Sequence, residues 1–215
     1  MMNKNIVDQM NKTARLLDNS IMDTPTIEQS VQKILQAIGE DDQREGLQRT
    51  PERVARSFQE LFEGYRVDPV ALINDALFTS VCNTPILVRD IEFFSICEHH
   101  MLPILGHVHV EYIPHGKVIG LSKIPRIVDM FSKRLQLQER MTGEIASFLN
   151  LVLEPEGVAV VVEGIHLCSM IRGVQKHDAR MTTSCVQGKY ENDPILRKEF
   201  FDNISRGAKP LTIGG

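Results

Sequence analysis

Tryptophan is absent from this chain, aromatic residues make up only 6% of it, and there are only four cysteines in 215 residues. Packing therefore falls on aliphatic side chains. A chain this long buries an adequate core without crosslinks, so it needs no disulfide staples. No apolar run approaches the ~20 residues that a membrane-spanning helix needs. There is no basic surplus either: Lys plus Arg is 24 against 28 Asp plus Glu, a net charge of -4. That lacks the positive field of a non-specific nucleic-acid binder, though a local basic cluster can still hold a small anion. The first 25 residues contain no apolar stretch of the kind that drives secretion, so a reducing, cytoplasmic setting is expected. There a cysteine is a buried small hydrophobe, a nucleophile or a metal ligand. What is present, 42% hydrophobic and 24% charged residues, is the composition of an ordinary globular protein.

The chain divides into an N-terminal helical region, 1–80, and a second region, 81–215. Residues 1–25 form a loose or helical arm without a strong pattern. Ile27, Val31, Ile34, Leu35 and Ile38 recur at helical spacing, with Gly39 as a stop. Thr50-Pro51 reads as an N-cap and first helical residue, and Val54, Phe58, Leu61 and Phe62 would form the buried face. From Pro85 the texture turns β-like. His107 to Ile113 alternates in the manner of a half-exposed strand. Helices are expected over 122–135 and 137–153, a valine-rich strand over 157–168, another over 181–189, and a last helix from Asp193-Pro194 to Ile204. The order suggests an α+β fold, an antiparallel sheet with helices on one face.

Chemistry concentrates in four places. In Cys97-Glu98-His99-His100, a Cys and a His two residues apart can reach one metal ion from a tight turn. A buried cysteine beside two solvated histidines explains the tetrapeptide equally well. In His166-Leu167-Cys168, strand alternation points both outer residues to one face. If Cys97, His100 and Cys168 bind Zn²⁺, three protein ligands leave one position open, as in catalytic sites. Zinc lowers the pKa of water from about 15.7 towards ~7, and the remaining His99 and His166 can move protons at that pH. The set suits hydrolysis. Third, Gly120-Leu121-Ser122-Lys123-Ile124-Pro125-Arg126 offers Ser122 as N-cap and two cations at a helix N-terminus, a natural phosphate site. Fourth, Glu139 in Gln138-Glu139-Arg140 can accept two hydrogen bonds from an amidine-like edge such as guanine N1–H and N2–H₂. Arg172 is a further anion ligand candidate. His107 and His109 read as an exposed polar strand face, and Cys82 and Cys185 as incidental.

These motifs, with Arg49 to Ala55 and Thr182-Thr183-Ser184, resemble the GTP cyclohydrolase I family from about Ile34 onwards. The resemblance implies a tunnelling fold, in which subunit sheets join into a barrel. It also implies a homodecamer with active sites between subunits, and no nucleic-acid or membrane partner. The implied reaction converts GTP and water to formate and 7,8-dihydroneopterin triphosphate, the entry to tetrahydrofolate and other pteridines. Carried over by motif, Cys97, His100 and Cys168 match zinc ligands. His99 matches the residue that protonates guanine N7 as water attacks C8, and His166 a later proton carrier. Glu139 with Gln138 matches the guanine-reading position. Ser122, Lys123, Arg126 and Arg172 match triphosphate contacts, Ser122 also serving the sugar rearrangement. Arg53 matches a phosphate ligand from a neighbouring subunit. Arg56 and Met181 depart from common family residues without touching the metal triad. The alternatives are a related tunnelling-fold purine or pterin enzyme with a nucleophilic cysteine, and a non-enzymatic zinc-binding assembly module closed by a fourth ligand.

Overall fold

The computed structural model describes residues 4–14 and 22–206. The element order is α1 (Lys4–Ala14), α2 (Thr24–Ala37), α3 (Thr50–Leu61), a 3₁₀ turn (Glu63–Arg66), α4 (Pro69–Ile73), β1 (Leu77–Thr79), β2 (Ile86–Cys97), β3 (Pro103–Ile113) and β4 (Lys117–Ile119). It continues with α5 (Lys123–Ser132), β5 (Leu135–Gln136), α6 (Gln138–Leu153), β6 (Gly157–His166), α7 (Leu167–Met170), β7 (Met181–Gly188), α8 (Lys189–Asn192) and α9 (Pro194–Ser205). No helix of the described residues is long and apolar enough to cross a membrane.

The N-terminal part is helical, as the apolar spacing implied. In α2, Asp23 accepts the Thr26 N–H at 3.1 Å, and Gly39 leaves the helix at φ 86°. A positive φ of that size suits glycine. Two local expectations need correction. Arg49, not Thr50, holds the cap position of α3; Thr50 lies in the first turn, its Oγ1 turned to Gly46 O. In α2 only Leu35 is buried, and Ile34 and Ile38 stay 58% and 68% exposed. Ile27 and Val31 are half-buried on the line that ends at Leu35, and α3 is the element packed chiefly against α2. α1, which had no clear pattern, is seated in the core through Met10 and Ala14.

The main sheet has the order β5-β2-β3-β6-β7, antiparallel apart from the short β2–β5 pair. Val108, Val110, Tyr112, Val158, Val160 and Val162 face a large core with α5 and α6. Ile113, Ala159 and Val161 face the other way and pack with Tyr190, Phe200 and Ile204. Thus helices lie on both faces, not on one. β3, expected to be half exposed, is buried on both sides for the same reason. His107, His109 and Glu111 are therefore interior rather than solvated. His109 Nδ1 accepts the Asp90 N–H at a bulge in β2, and Tyr190 donates its hydroxyl to Glu111 Oε1 at 2.6 Å. Alternation reports the chemistry of two faces. It does not report whether a distant segment returns to cover the polar one.

Candidate functional site

The site forms where β2 and β6 end and β3 begins. Register brings Ile96 opposite Pro103 and Ile104 opposite His166, so the segments after β2 and β6 meet at one sheet end. After β2 the chain closes a tight turn: the Met101 N–H reaches Cys97 O at 2.8 Å, with Met101 at φ 53°. The turn folds His100 back toward Cys97. The Glu98 N–H donates to Gln136 O, and the Arg140 guanidinium clamps the Glu98 carboxylate at 2.5 Å while donating to Gln136 Oε1 at 2.9 Å. The metal-type turn is thereby tied to the start of α6.

Beyond His166 the strand does not continue. Leu167–Met170 is one helical turn, closed by the Ile171 N–H on Leu167 O. His166 and Cys168 therefore do not share a strand face, as simple alternation had suggested. The helical turn, rather than the pleat, swings Cys168 onto Cys97. The result still converges: ligand atoms of Cys97, His100 and Cys168 all lie within 4.8 Å of one another, the one such group among the described residues. The two Sγ atoms are 3.8 Å apart. That is far beyond a disulfide bond of about 2.05 Å. It equals the separation, about 3.8 Å, of two thiolates each about 2.3 Å from one tetrahedral zinc ion. Both cysteines are buried, while His100 is exposed. Burial, then the neighbouring Cys97, push the Cys168 thiol above its ordinary range. A cation beside the sulfurs would favour the Cys168 thiolate against that burial. The residues fit a metal ion of zinc's preferences.

Around this group stand His99, exposed, and His166, half-buried. Burial pushes His166 below the ordinary imidazole range, and the Glu139 charge acts against that shift. Glu139 is exposed at the start of α6. Arg172 is exposed and donates to Cys168 O at 3.2 Å. Gln138 is placed differently from its neighbour: it is 1% exposed, and its side chain enters the sheet to meet His166.

The three expected phosphate ligands at the α5 N-terminus, Ser122, Lys123 and Arg126, are not at this end. Ser122 holds the cap position of α5 without a side-chain cap bond, contrary to its expected capping role. Lys123 donates to Leu72 O at 2.6 Å, and with Arg126, Glu63, Asp68 and Asp129 it lines a pocket of about 420 Å³. The C-terminal end of α5 leads into β5 beside Cys97. Its ten residues therefore hold Lys123 about 15 Å along the helix from that end. Arg53 is exposed on α3, which packs chiefly on α2. Sequence reasoning gave no role to Gly164 or Thr142. A lone glycine in a valine-rich strand was the available signal, since it marks close approach of another group.

Comparison with known proteins is consistent with these features. The family model described as GTP cyclohydrolase I matches residues 27–205. A protein named GTP cyclohydrolase 1 from Campylobacter curvus (strain 525.92) is 54% identical over 180 residues, 84% of this chain and 95% of that one. One of the same name from Chlorobium chlorochromatii (strain CaD3) is 51% identical over 183 residues, 85% and 82% of the two chains. Another from Leptospira biflexa serovar Patoc is 48% identical over 182 residues, 85% and 100%.

Proposed function

Because the chain belongs to the GTP cyclohydrolase I family, we propose that it is a hydrolase converting GTP and water to formate and 7,8-dihydroneopterin triphosphate. In the balance, guanine C8 leaves as formate after both of its C–N bonds are hydrolysed. The opened base then closes onto carbons of the rearranged ribose with loss of water. The product enters pteridine and folate biosynthesis. The observation that carries the reading is the convergence of Cys97, His100 and Cys168 from two separate chain segments.

Those three side chains would hold the zinc ion. When bound, the ion supplies Lewis acidity that makes a hydroxide nucleophile available near neutral pH. His99 delivers a proton to guanine N7 as the ring opens. His166, whose burial disfavours the charged ring, accepts and returns protons in the later steps. Glu139 accepts N1–H and N2–H₂ of the guanine edge; adenine lacks that donor pair, so the carboxylate would be left unpaired against ATP. Arg172 neutralises phosphate charge. Ser122, Lys123, Arg126 and Arg53 also serve the triphosphate, and Ser122 assists the sugar rearrangement. The distance of α5's N-terminus from the cysteines supports supply of these groups by neighbouring copies in a homo-oligomer, a decamer by family. Exposed Phe94, Leu121, Ile34 and Ile38 offer apolar surface for such an assembly. Assembly of subunit sheets into a tunnelling-fold barrel, in the cytoplasm, completes the reading.

A closed structural zinc site is less well supported. His166 Nε2 is engaged by Gln138 Oε1, and no fourth Cys, His, Asp or Glu atom joins the group among the described residues. The test measures formate release from GTP and zinc content on one sample. Formate and a pterin product that fluoresces after oxidation are expected. A zinc-loaded protein that leaves GTP intact would refute the reading.

A further inference from the structure

We infer that Gln138 is a positioning residue: its side-chain amide holds His166 as the Nε2–H tautomer and leaves Nδ1 as the ring's free nitrogen. The inference rests on the reading of His166 as a proton carrier in the GTP reaction. It departs from the expectation that Gln138 reads the guanine.

The amide's orientation follows from a chain of single protons. Thr142 donates its only hydroxyl proton to Gln138 O at 2.7 Å. The contact between Thr142 Oγ1 and Thr183 Oγ1, also 2.7 Å, must then be made with the Thr183 proton. Thr183 Oγ1 has no proton left and faces Gln138 as an acceptor, 3.2 Å away. The other groups at the same end of the amide are the carbonyl oxygens of Val162, at 3.0 Å, and Met181, at 2.9 Å. Three acceptors surround that atom, so it is the nitrogen. A flipped amide would set its oxygen against all three in a buried position, with no donor among them.

The other amide atom is therefore Oε1, an acceptor. It lies 2.9 Å from His166 Nε2, which must carry the hydrogen. The ring is thus fixed in both rotation and tautomer. The same contacts exhaust the amide's two N–H donors, so none remains for a guanine oxygen or ring nitrogen. Gly164 supplies the room: a Cβ there would stand 2.3 Å from Gln138 Oε1.

Two measurements test this. In a neutron-diffraction map of the wild-type protein, deuterium is expected on His166 Nε2; deuterium on Nδ1 with Nε2 bare would overturn the inference. Second, Gln138→Met, similar in length and without hydrogen bonds, is combined with His166→Ala in a double-mutant cycle. Gln138→Met should lower kcat on the order of 10²-fold, the lower range of what a positioned acid–base group contributes, with little change in KM. In the His166→Ala background it should change kcat by less than about threefold, because coupled effects are not additive. Equal losses in both backgrounds would show a structural role only and overturn the proposal. A raised KM at constant kcat would do the same, restoring Gln138 as a base reader. The map reads the ring whether or not GTP is consumed, so failure of the positioning role and failure of the GTP reading give different results.

Discussion

Gly164→Ala is a one-methyl test of how the centre of the site is packed. The added Cβ would lie 2.3 Å from Gln138 Oε1, 3.2 Å from its Cδ and 3.4 Å from Ile104 Cγ2. Comfortable contact starts near 3.5 Å, so the amide must retreat by roughly 1 Å. It has nowhere to go without loss. Its nitrogen sits 2.9 to 3.2 Å from three acceptors and its oxygen 2.9 Å from His166. A retreat of that size carries the His166 contact beyond hydrogen-bond range. Overpacking costs about 1–3 kcal/mol, and leaving a buried polar group unsatisfied about 1–3 kcal/mol more. For a chain of this size that is a fall in Tm of at least about 4 °C, read by thermal melting at fixed protein concentration. The sign is diagnostic. Gly164 has no positive φ, and glycine-to-alanine changes at tolerant backbone positions stabilise by about 0.4–1 kcal/mol. The variant should also lose kcat with KM for GTP held. An unchanged or raised Tm with full kcat would refute this packing.

Three further outcomes are expected. Cys97→Ala removes one of the two converging thiols, and the purified protein should lose both metal content and formate release; full turnover by the metal-free variant would contradict the assignment. Arg140→Met cuts the clamp on Glu98 and should let a chelator strip zinc about 10-fold more readily, as loss of a supporting partner commonly does; unchanged chelator kinetics would count against the clamp. Burial, its largest cause, depresses His109 below the ordinary value near 6.5, with Glu163 and Asp90 opposing. The unfolded chain then binds more protons just below pH 6.5, so stability rises with pH through that window and is lost as pH falls below it. His109→Gln should flatten the acid side of a plot of urea midpoint against pH, His166 keeping part of the slope because it shifts the same way. An unaltered slope would show that His109 does not titrate as its burial requires.

Much was legible along the chain because the physics there is local. The helical face of α6, with Met141, Ile145, Phe148 and Leu149 buried, follows from spacing alone. So does the reach of Cys97 and His100 from one turn, since two intervening residues allow little else. Pairings that cross the sheet were not legible. Cys168 reads as a ligand from its motif, but strand alternation gives it the wrong local geometry; a helical turn after β6 delivers it.

From its own letters, then, the chain determined most of its helices and strands, the turn after β6 excepted, and brought Cys97 and His100 onto one turn, because propensity and periodicity act over a few residues. Tertiary structure alone decided that two sulfurs 71 positions apart come within 3.8 Å of each other. It alone buried both faces of β3, turned Gln138 inward to His166, and kept Lys123 and Arg126 away from the cysteines. Each of those outcomes depends on which strand lies beside which and on the segment that folds back over them. No short window of sequence contains that information.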